Sequence, residues 1–333
     1  MYDMHYDLLS ILYSNFMGNK KTRNIEKIVK DCKKIYNFNN IIGGVINLYF
    51  MTPLEMEKEL GIDISKSVDV TEMFKISLTL IDLFKKLNVI NPDTDFLYSI
   101  EGCDYIKDEN ELNDLYNLGL RSILLVWNNK NKYGSGNNSE GGLTFEGKKF
   151  LRKAIDLGIV IDLSHANQET FDNMVELIVE EQAKGKDPIV IASHSNCRNL
   201  CDRKRNLTDE HLIKLRDIGG YIGLFSNRNF VSKNTDNENL EERKISYLKH
   251  IDHVLELGFS EDKILLSTDD MNFNLDPSYH GLQTFELENI ASDLRNILEN
   301  KYNIDFVNKI MIDNAKNLIK KVNRISMHNE KRR

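Results

Sequence analysis

Imidazole and carboxylate groups recur in this sequence where apolar runs stop, and that placement could support chemistry. The first is His5-x-Asp7, within MYDMHYDLLS. A strand's period of two would put both side chains on one face, within reach of a single cation. Alone the spacing is weak evidence, because eight histidines in an Asp-rich chain produce such a pair readily by chance. Three later segments add to it: FLYSI runs into Glu101, IVIDLS into His165 and IVIAS into His194. Any one of these histidines taken alone reads better as a hydrogen-bonded packing residue. Three imidazoles and two carboxylates in mutual reach reverse that reading, because such a cluster is costly to bury without a cation to neutralise it. Ligands of this type, with no thiolate, suit zinc, with manganese, cobalt or iron as alternatives. Five ligands exceed what one catalytic zinc needs. Two ions sharing a bridging carboxylate would use them all and leave positions for water and substrate.

These residues converge only if the elements carrying them do. Short runs rich in Ile, Val and Leu alternate with stretches of helical spacing, the pattern of βαβ units. Strands are expected at about Asp3 to His5, Ile41 to Phe50, Phe96 to Glu101, Ser122 to Trp127, Val160 to His165, Ile189 to His194, Tyr221 to Phe225 and Ile264 to Thr268. Runs such as IVID and IVIA are apolar at successive positions, as parallel strands covered on both faces require. Between them, Phe171, Met174, Val175 and Ile178 fall at helical spacing before Gly185. Eight strands with intervening helices predict an α/β fold, a closed (β/α)8 TIM-type barrel, with an open doubly wound sheet as the alternative. In a barrel all the candidate ligands would lie on the face where such folds place active sites.

No Pro- or Ser-rich linker divides the 333 residues, so a single barrel domain is expected over the whole chain. The polar stretch at 128–142 reads as a long loop between strand and helix, and a second polar stretch runs from Asn227 to Lys244. Met51 to Asp95 is a longer connection with an amphipathic helix around Thr71 to Leu87. The basic tail at 324–333 reads as a frayed terminus. Hydrophobic residues are 41% and charged residues 29% of the chain, which excludes a disordered chain and a membrane bundle. Net charge is -7, with Lys and Arg interspersed among Asp and Glu, so nucleic acid is not an expected partner. The opening residues lack a basic start and an apolar core, and no run approaches a membrane span, so a cytoplasmic location is expected. Cys32, Cys103, Cys197 and Cys201 offer only a C-x3-C pair, which fits neither a redox motif nor a four-thiolate zinc site. No Ser or Cys sits in a recognisable triad setting or G-x-S-x-G elbow.

Taken in order, His5-x-Asp7, IEG at Ile100 to Gly102, GGLTFEGKKFLRKAIDLGIVIDLSH ending at His165, IASHS around His194 and RNLTD from Arg205 resemble the membrane (renal) dipeptidase family of zinc peptidases. The resemblance covers almost the whole chain. It implies a barrel of the metal-dependent hydrolase kind with two zinc ions. By position, His5 and Asp7 would hold one ion, His165 and His194 the other, and Glu101 would bridge them. Arg205 would bind the substrate's free carboxylate, and Asp269 in LLSTDD corresponds best to the family's acid after the last strand, with Asp270 as its nearest rival. Many members carry a substrate-contacting His where this chain has Trp127, which can donate one hydrogen bond but cannot accept or carry charge as imidazole does.

The expected reaction is hydrolysis of a dipeptide, with a metal-bridging hydroxide as nucleophile and Asp269 as proton shuttle. The alternatives are an amidohydrolase acting on N-acyl amino acids or lactam-like amides in the same barrel, and a metal-binding protein with little catalysis. Plainer readings make Arg205 an anchor for the helix beginning near Thr208 and Asp269 a solvated turn residue. His211, His250, His253 and His280 are left outside the site. Homodimerisation is an expectation at family level, with a small dipeptide as partner and no membrane.

Overall fold

Eight short strands pair in chain order, each parallel to the next: β1 (Tyr2–Tyr6), β2 (Gly43–Tyr49), β3 (Asp95–Glu101), β4 (Leu120–Leu124), β5 (Val160–Asp162), β6 (Val190–Ala192), β7 (Tyr221–Phe225) and β8 (Ile264–Ser267). The structure is a computed structural model that describes residues 1–18, 41–50, 68–233, 239–269 and 290–330. The strands form a nearly closed barrel with helices between them, as the alternation of apolar runs predicts. Side-chain and main-chain hydrogen bonds join β8 to β1. The Asp3 carboxylate accepts from the Thr268 N–H at 3.0 Å and the Thr268 hydroxyl at 2.5 Å, and the Asp269 N–H donates to the His5 carbonyl at 3.0 Å.

Among the described helices are α1 (Leu8–Gly18), α2 (Val70–Lys86), α3 (Glu109–Leu118), α4 (Phe145–Leu157), α5 (Gln168–Ala183) and α6 (Asp209–Asp217), followed by α7 (Arg228–Val231), α8 (Leu240–Glu256), α9 (Ile290–Glu299), α10 (Ile304–Asn308) and α11 (Asn314–Glu330). Three caps fix where the loops above the barrel end. Thr144, Asn167 and Thr208 each accept a backbone N–H in the first turn of α4, α5 and α6. The LTFEG segment therefore has a structural meaning. Thr144 Oγ1 accepts from the Gly147 N–H, and a Cβ at Gly147 would lie 2.0 Å from the Tyr133 carbonyl oxygen.

Three sequence expectations shift. The ladders of β4, β5 and β6 stop at Leu124, Asp162 and Ala192, so Trp127, His165 and His194 stand on the loops that follow rather than in the strands. Their apolar approach runs stay buried after leaving the ladder, which is why periodicity overextends them. The polar stretch from Asn227 to Lys244 is partly helical, in α7 and the start of α8. The basic segment from Arg324 is no frayed end as far as Glu330. It continues α11, where Asn329 donates to the Leu157 carbonyl and a Cβ on Gly158 would touch Ile325. Further back, Ala315, Leu318, Ile319 and Val322 of α11 pack with Met4, Val45, Leu97, Val160 and Leu265 near the N-terminal ends of the strands. That end of the barrel is thereby sealed. Cys32, Asp270 and His280 lie outside the described residues, while Cys103, Cys197 and Cys201 are buried free thiols. No described helix is long and apolar enough to cross a membrane.

Candidate metal and substrate site

All five sequence-predicted ligands meet at the C-terminal ends of the strands, and all are buried. His5 Nε2 lies 3.1 Å from Glu101 Oε2, and His165 Nε2 lies 3.0 Å from Glu101 Oε1. His194 Nε2 is 3.6 Å from the same Oε1 and 3.0 Å from His165 Nε2. Two triplets share Glu101: His5, Asp7 and Glu101, and Glu101, His165 and His194. Within each, one potential ligand atom per residue falls within 4.8 Å of the others. A third triplet, His5, His194 and Asp269, meets the same criterion, so Asp269 also stands within ligand range.

Backbone geometry aims these groups. His165 has φ 68° and Asp269 φ 53°, the left-handed region that side chains other than Gly rarely adopt. Apart from Asn88, they are the only non-glycine residues with positive φ among those described. Directly after Glu101 the chain turns at Gly102, with φ 84°, where a Cβ would come within 2.6 Å of the Phe50 carbonyl oxygen.

The rings are oriented by residues that sequence reasoning missed. Asn128 Oδ1 faces His165 Nδ1 at 3.0 Å. Ser193 Oγ lies 3.2 Å from His5 Nδ1 and 2.8 Å from His194 Nδ1. A hydroxyl oxygen has two acceptor sites, so Ser193 can take an Nδ1–H from both rings and leave both Nε2 atoms as lone pairs facing Glu101. Asp162 Oδ1 accepts from the Ser164 and Ser193 N–H groups at 3.0 Å each, joining the loops that carry His165 and His194. Asn128 directly follows Trp127 and Ser193 lies inside IASHS, but nothing in their spacing marks them as partners of the rings.

The donor set fits divalent cations. With its Nδ1–H directed at Asn128, His165 points an Nε2 lone pair at the Nε2 of His194, a contact that calls for a positive charge between them. Charge balance agrees. Burial disfavours a charged His5, but the carboxylates of Glu101, Asp7 and Asp269 outweigh it and raise its pKa to about 10. Burial, with Arg205 nearby, lowers His165 to about 4, and burial with the neighbouring cationic groups holds His194 well below its ordinary value. Burial works against ionised Glu101, yet His5 and His165 keep its carboxyl well below the usual carboxylate range. A cluster that otherwise draws a proton onto His5 is suited to a metal ion in that proton's place.

Beside the cluster opens a cavity of about 450 Å³, a size typical of small-molecule sites. Glu101, His165 and Asp269 lie at its base, with Tyr49, Trp127, Phe230, Asn227 and Arg205 among its walls. Trp127 meets the Tyr49 ring edge-on at 4.8 Å. Arg205 is 7% exposed. Its Nη1 donates to Ser195 Oγ at 2.9 Å, and its Nη2 is buried without a hydrogen-bond partner. The anchoring role that sequence allows for Arg205 at α6 falls instead to Thr208, which caps that helix. Burial raises the Asp269 carboxyl to about 7, with Glu101 adding to the rise while His5 and Arg205 pull the other way. Among the histidines left outside, His211 faces Asp172 and His253 pairs with Asp209, both away from the cluster.

Fold and ligand set together define a (β/α)8 barrel able to hold divalent cations at the C-terminal ends of its strands. The chain belongs to the membrane dipeptidase family, peptidase family M19, whose family model matches residues 3–333. It is 32% identical over 167 residues to an uncharacterised Acinetobacter calcoaceticus protein from the PQQ-III 3′ region, covering 47% of this chain and 50% of that protein. It is 29% identical over 163 residues to dipeptidase verJ of Clonostachys rogersoniana, covering 47% and 38% respectively. The chain thus spans about half the length of the curated relatives it matches, or less. Among solved structures it resembles the dipeptidase AC, a family M19 metallopeptidase, with a TM-score of 0.70, 20% identity and coverage of 96% and 98% of the two chains. It also resembles a metallopeptidase of Rhodobacter sphaeroides liganded with a phosphinate mimic of L-Ala-D-Ala, with a TM-score of 0.68, 19% identity and the same coverage. At these identities the likeness to the solved structures is one of fold.

Proposed function

We propose that the protein hydrolyses the peptide bond of dipeptides that carry a free C-terminal carboxylate. One observation carries this reading: a buried guanidinium with an unused donor, Arg205, shares a cavity with Glu101, His165 and Asp269. His5 and Asp7 would hold one zinc-type ion, His165 and His194 a second, and Glu101 would serve both. Bound there, such ions supply Lewis-acid polarisation of a carbonyl oxygen and make a water acidic enough to ionise near neutral pH.

The remaining work falls to the chain's own side chains. Arg205 pairs with the terminal carboxylate through a planar fork, which fixes the distance from that end of the substrate to the reacting amide. Asp269, at the same cavity, accepts the proton lost by the attacking water and returns it to the departing amine. Trp127 and Tyr49 wall the cavity and limit the side chains it admits. Asn128 and Ser193 keep the imidazoles in the tautomer a cation requires.

The test is a double-mutant cycle. Blocking the carboxylate of a dipeptide as its amide is expected to lower kcat/KM of the metal-loaded protein by about 10² to 10³-fold, because a buried charge loses its partner. In Arg205→Ala that penalty largely disappears, since both substrates lack the anchor. Strictly additive effects would show that the carboxylate is bound elsewhere. Chelation should abolish activity and zinc restore it, with about two ions per chain at saturation. Faster turnover of N-acetyl amino acids than of dipeptides would favour the acylase alternative.

A further inference from the structure

Arg205 is the last of three consecutive cations, Arg203, Lys204 and Arg205, and all three line the cavity. Its remaining described lining is neutral except for Glu101 and Asp269. On the functional reading above, Glu101 is committed to metal, Asp269 to the proton and Arg205 to the terminal carboxylate. Two positive charges are then left over on one wall, in a protein whose net charge is -7.

Neither is ion-paired among the described residues, although Asp202 directly precedes Arg203. Arg203 and Lys204 are exposed, and no described carboxylate lies within ion-pair distance of either. The adjoining hollow shares Asn137 and Lys204 with the cavity and carries Glu140 and Glu169, yet neither acid pairs with Lys204. The loop itself is held in place. Asn206 donates to the Cys201 and Phe230 carbonyls, and Arg198 donates to those of Asn206 and Lys204. The backbone is anchored on both sides of Arg203 and Lys204, so both side chains start from a fixed stretch of the wall.

From this juxtaposition, resting on the dipeptidase reading, we infer that the enzyme prefers dipeptides whose C-terminal residue carries an acidic side chain. The position follows from the chain: the residue whose carboxylate Arg205 holds lies next to the two cations preceding Arg205. A carboxylate there meets complementary charge, whereas its amide isostere of equal size does not.

The experiment compares kcat/KM for Ala-Asp, Ala-Asn and Asp-Ala, with the C-terminal residue in each configuration, using the full metal-loaded chain. Ala-Asp should exceed Ala-Asn by about tenfold or more at low salt, and the ratio should shrink as salt screens the wall cations. Arg203→Gln and Lys204→Gln should each lower the ratio, and the double variant should bring it near one, with melting temperature as the check on folding. A wild-type ratio at or below one overturns the proposal, and so does a ratio that the double variant retains. A preference for Asp-Ala equal to that for Ala-Asp overturns the assigned position. If the three peptides are cleaved without preference, only this inference fails. If none is cleaved, the dipeptidase reading fails and takes the inference with it.

Discussion

A single hydroxyl faces two of the imidazoles at this site. Ser193 sits between the Nδ1 atoms of His5 and His194, two rings assigned to different metal ions, so its loss should loosen both ions at once. Ser193→Ala is expected to weaken metal affinity about 10 to 100-fold, measured by titration against a chelator of known affinity. Unchanged affinity would reduce Ser193 to packing. Asp269 poses a sharper question, since it lies 3.7 Å from His5 Nε2 and within ligand range. If it moves the proton, Asp269→Asn should cut kcat by about 10² to 10⁴-fold while metal content stays level. A loss of metal on substitution would instead make it a ligand. The ligands themselves were legible in sequence because imidazoles and carboxylates ending apolar runs are chemically conspicuous. Ser193 and Asn128 were not, because their roles depend on which ring lies opposite, and folding alone settles that.

At the level of elements, two buried carboxylates hold the ends of strands together. Asp162 joins the segments after β5 and β6 through two N–H groups, and Asp3 joins β1 to β8 through Thr268 while also accepting from the His5 N–H. Removing Asp3 would leave several buried donors without acceptors. Asp3→Ala should therefore cost about 2–5 kcal/mol in urea denaturation and weaken metal binding, whereas substitution of an exposed acid such as Glu180 should cost less than about 0.5 kcal/mol. The order and parallel sense of the strands were readable because β-branched runs alternated with helical spacing. Their ends were not, since hydropathy reports burial and is blind to where a ladder of hydrogen bonds stops. Thus Leu163 and Val126 are as buried as any strand residue, although both lie past the last paired position of their strands. The C-terminal helix was misread for the converse reason. From Arg324 on its exposed face is basic and polar, and the contact with Leu157 and Gly158 continues the packed face formed further back by Leu318, Ile319 and Val322.

On the scale of the whole molecule, His250 ties α8 to the loop after β6 and to the end of α7. Its Nδ1 accepts from the Cys197 N–H and its Nε2–H donates to the Val231 carbonyl, an arrangement that requires the neutral ring. Burial lowers its pKa from 6.5 to about 4. Between those values the unfolded chain binds the extra proton, so this contribution is intact above pH 6.5 and is lost as the pH falls towards 4, reaching about 3 kcal/mol. His250→Gln should flatten the pH dependence of stability over that window relative to wild type; parallel curves would exclude the effect. The seam at Asp3 and Thr268 bears on the order of assembly, for these partners are 265 positions apart. Contacts that distant form late, because a long loop must close before they contribute. Glu101, His165 and His194 come from β3 and from the segments after β5 and β6, so none of them depends on the contact between β1 and β8. His5 and Asp7 lie in and just after β1, the strand at that seam, so the cluster of ligands with Asp269 is complete only in the closed barrel. On the two-ion reading proposed above, full uptake of metal would follow closure of the barrel, and an incompletely folded chain would differ from the finished protein in its capacity for metal before it differs in helix content.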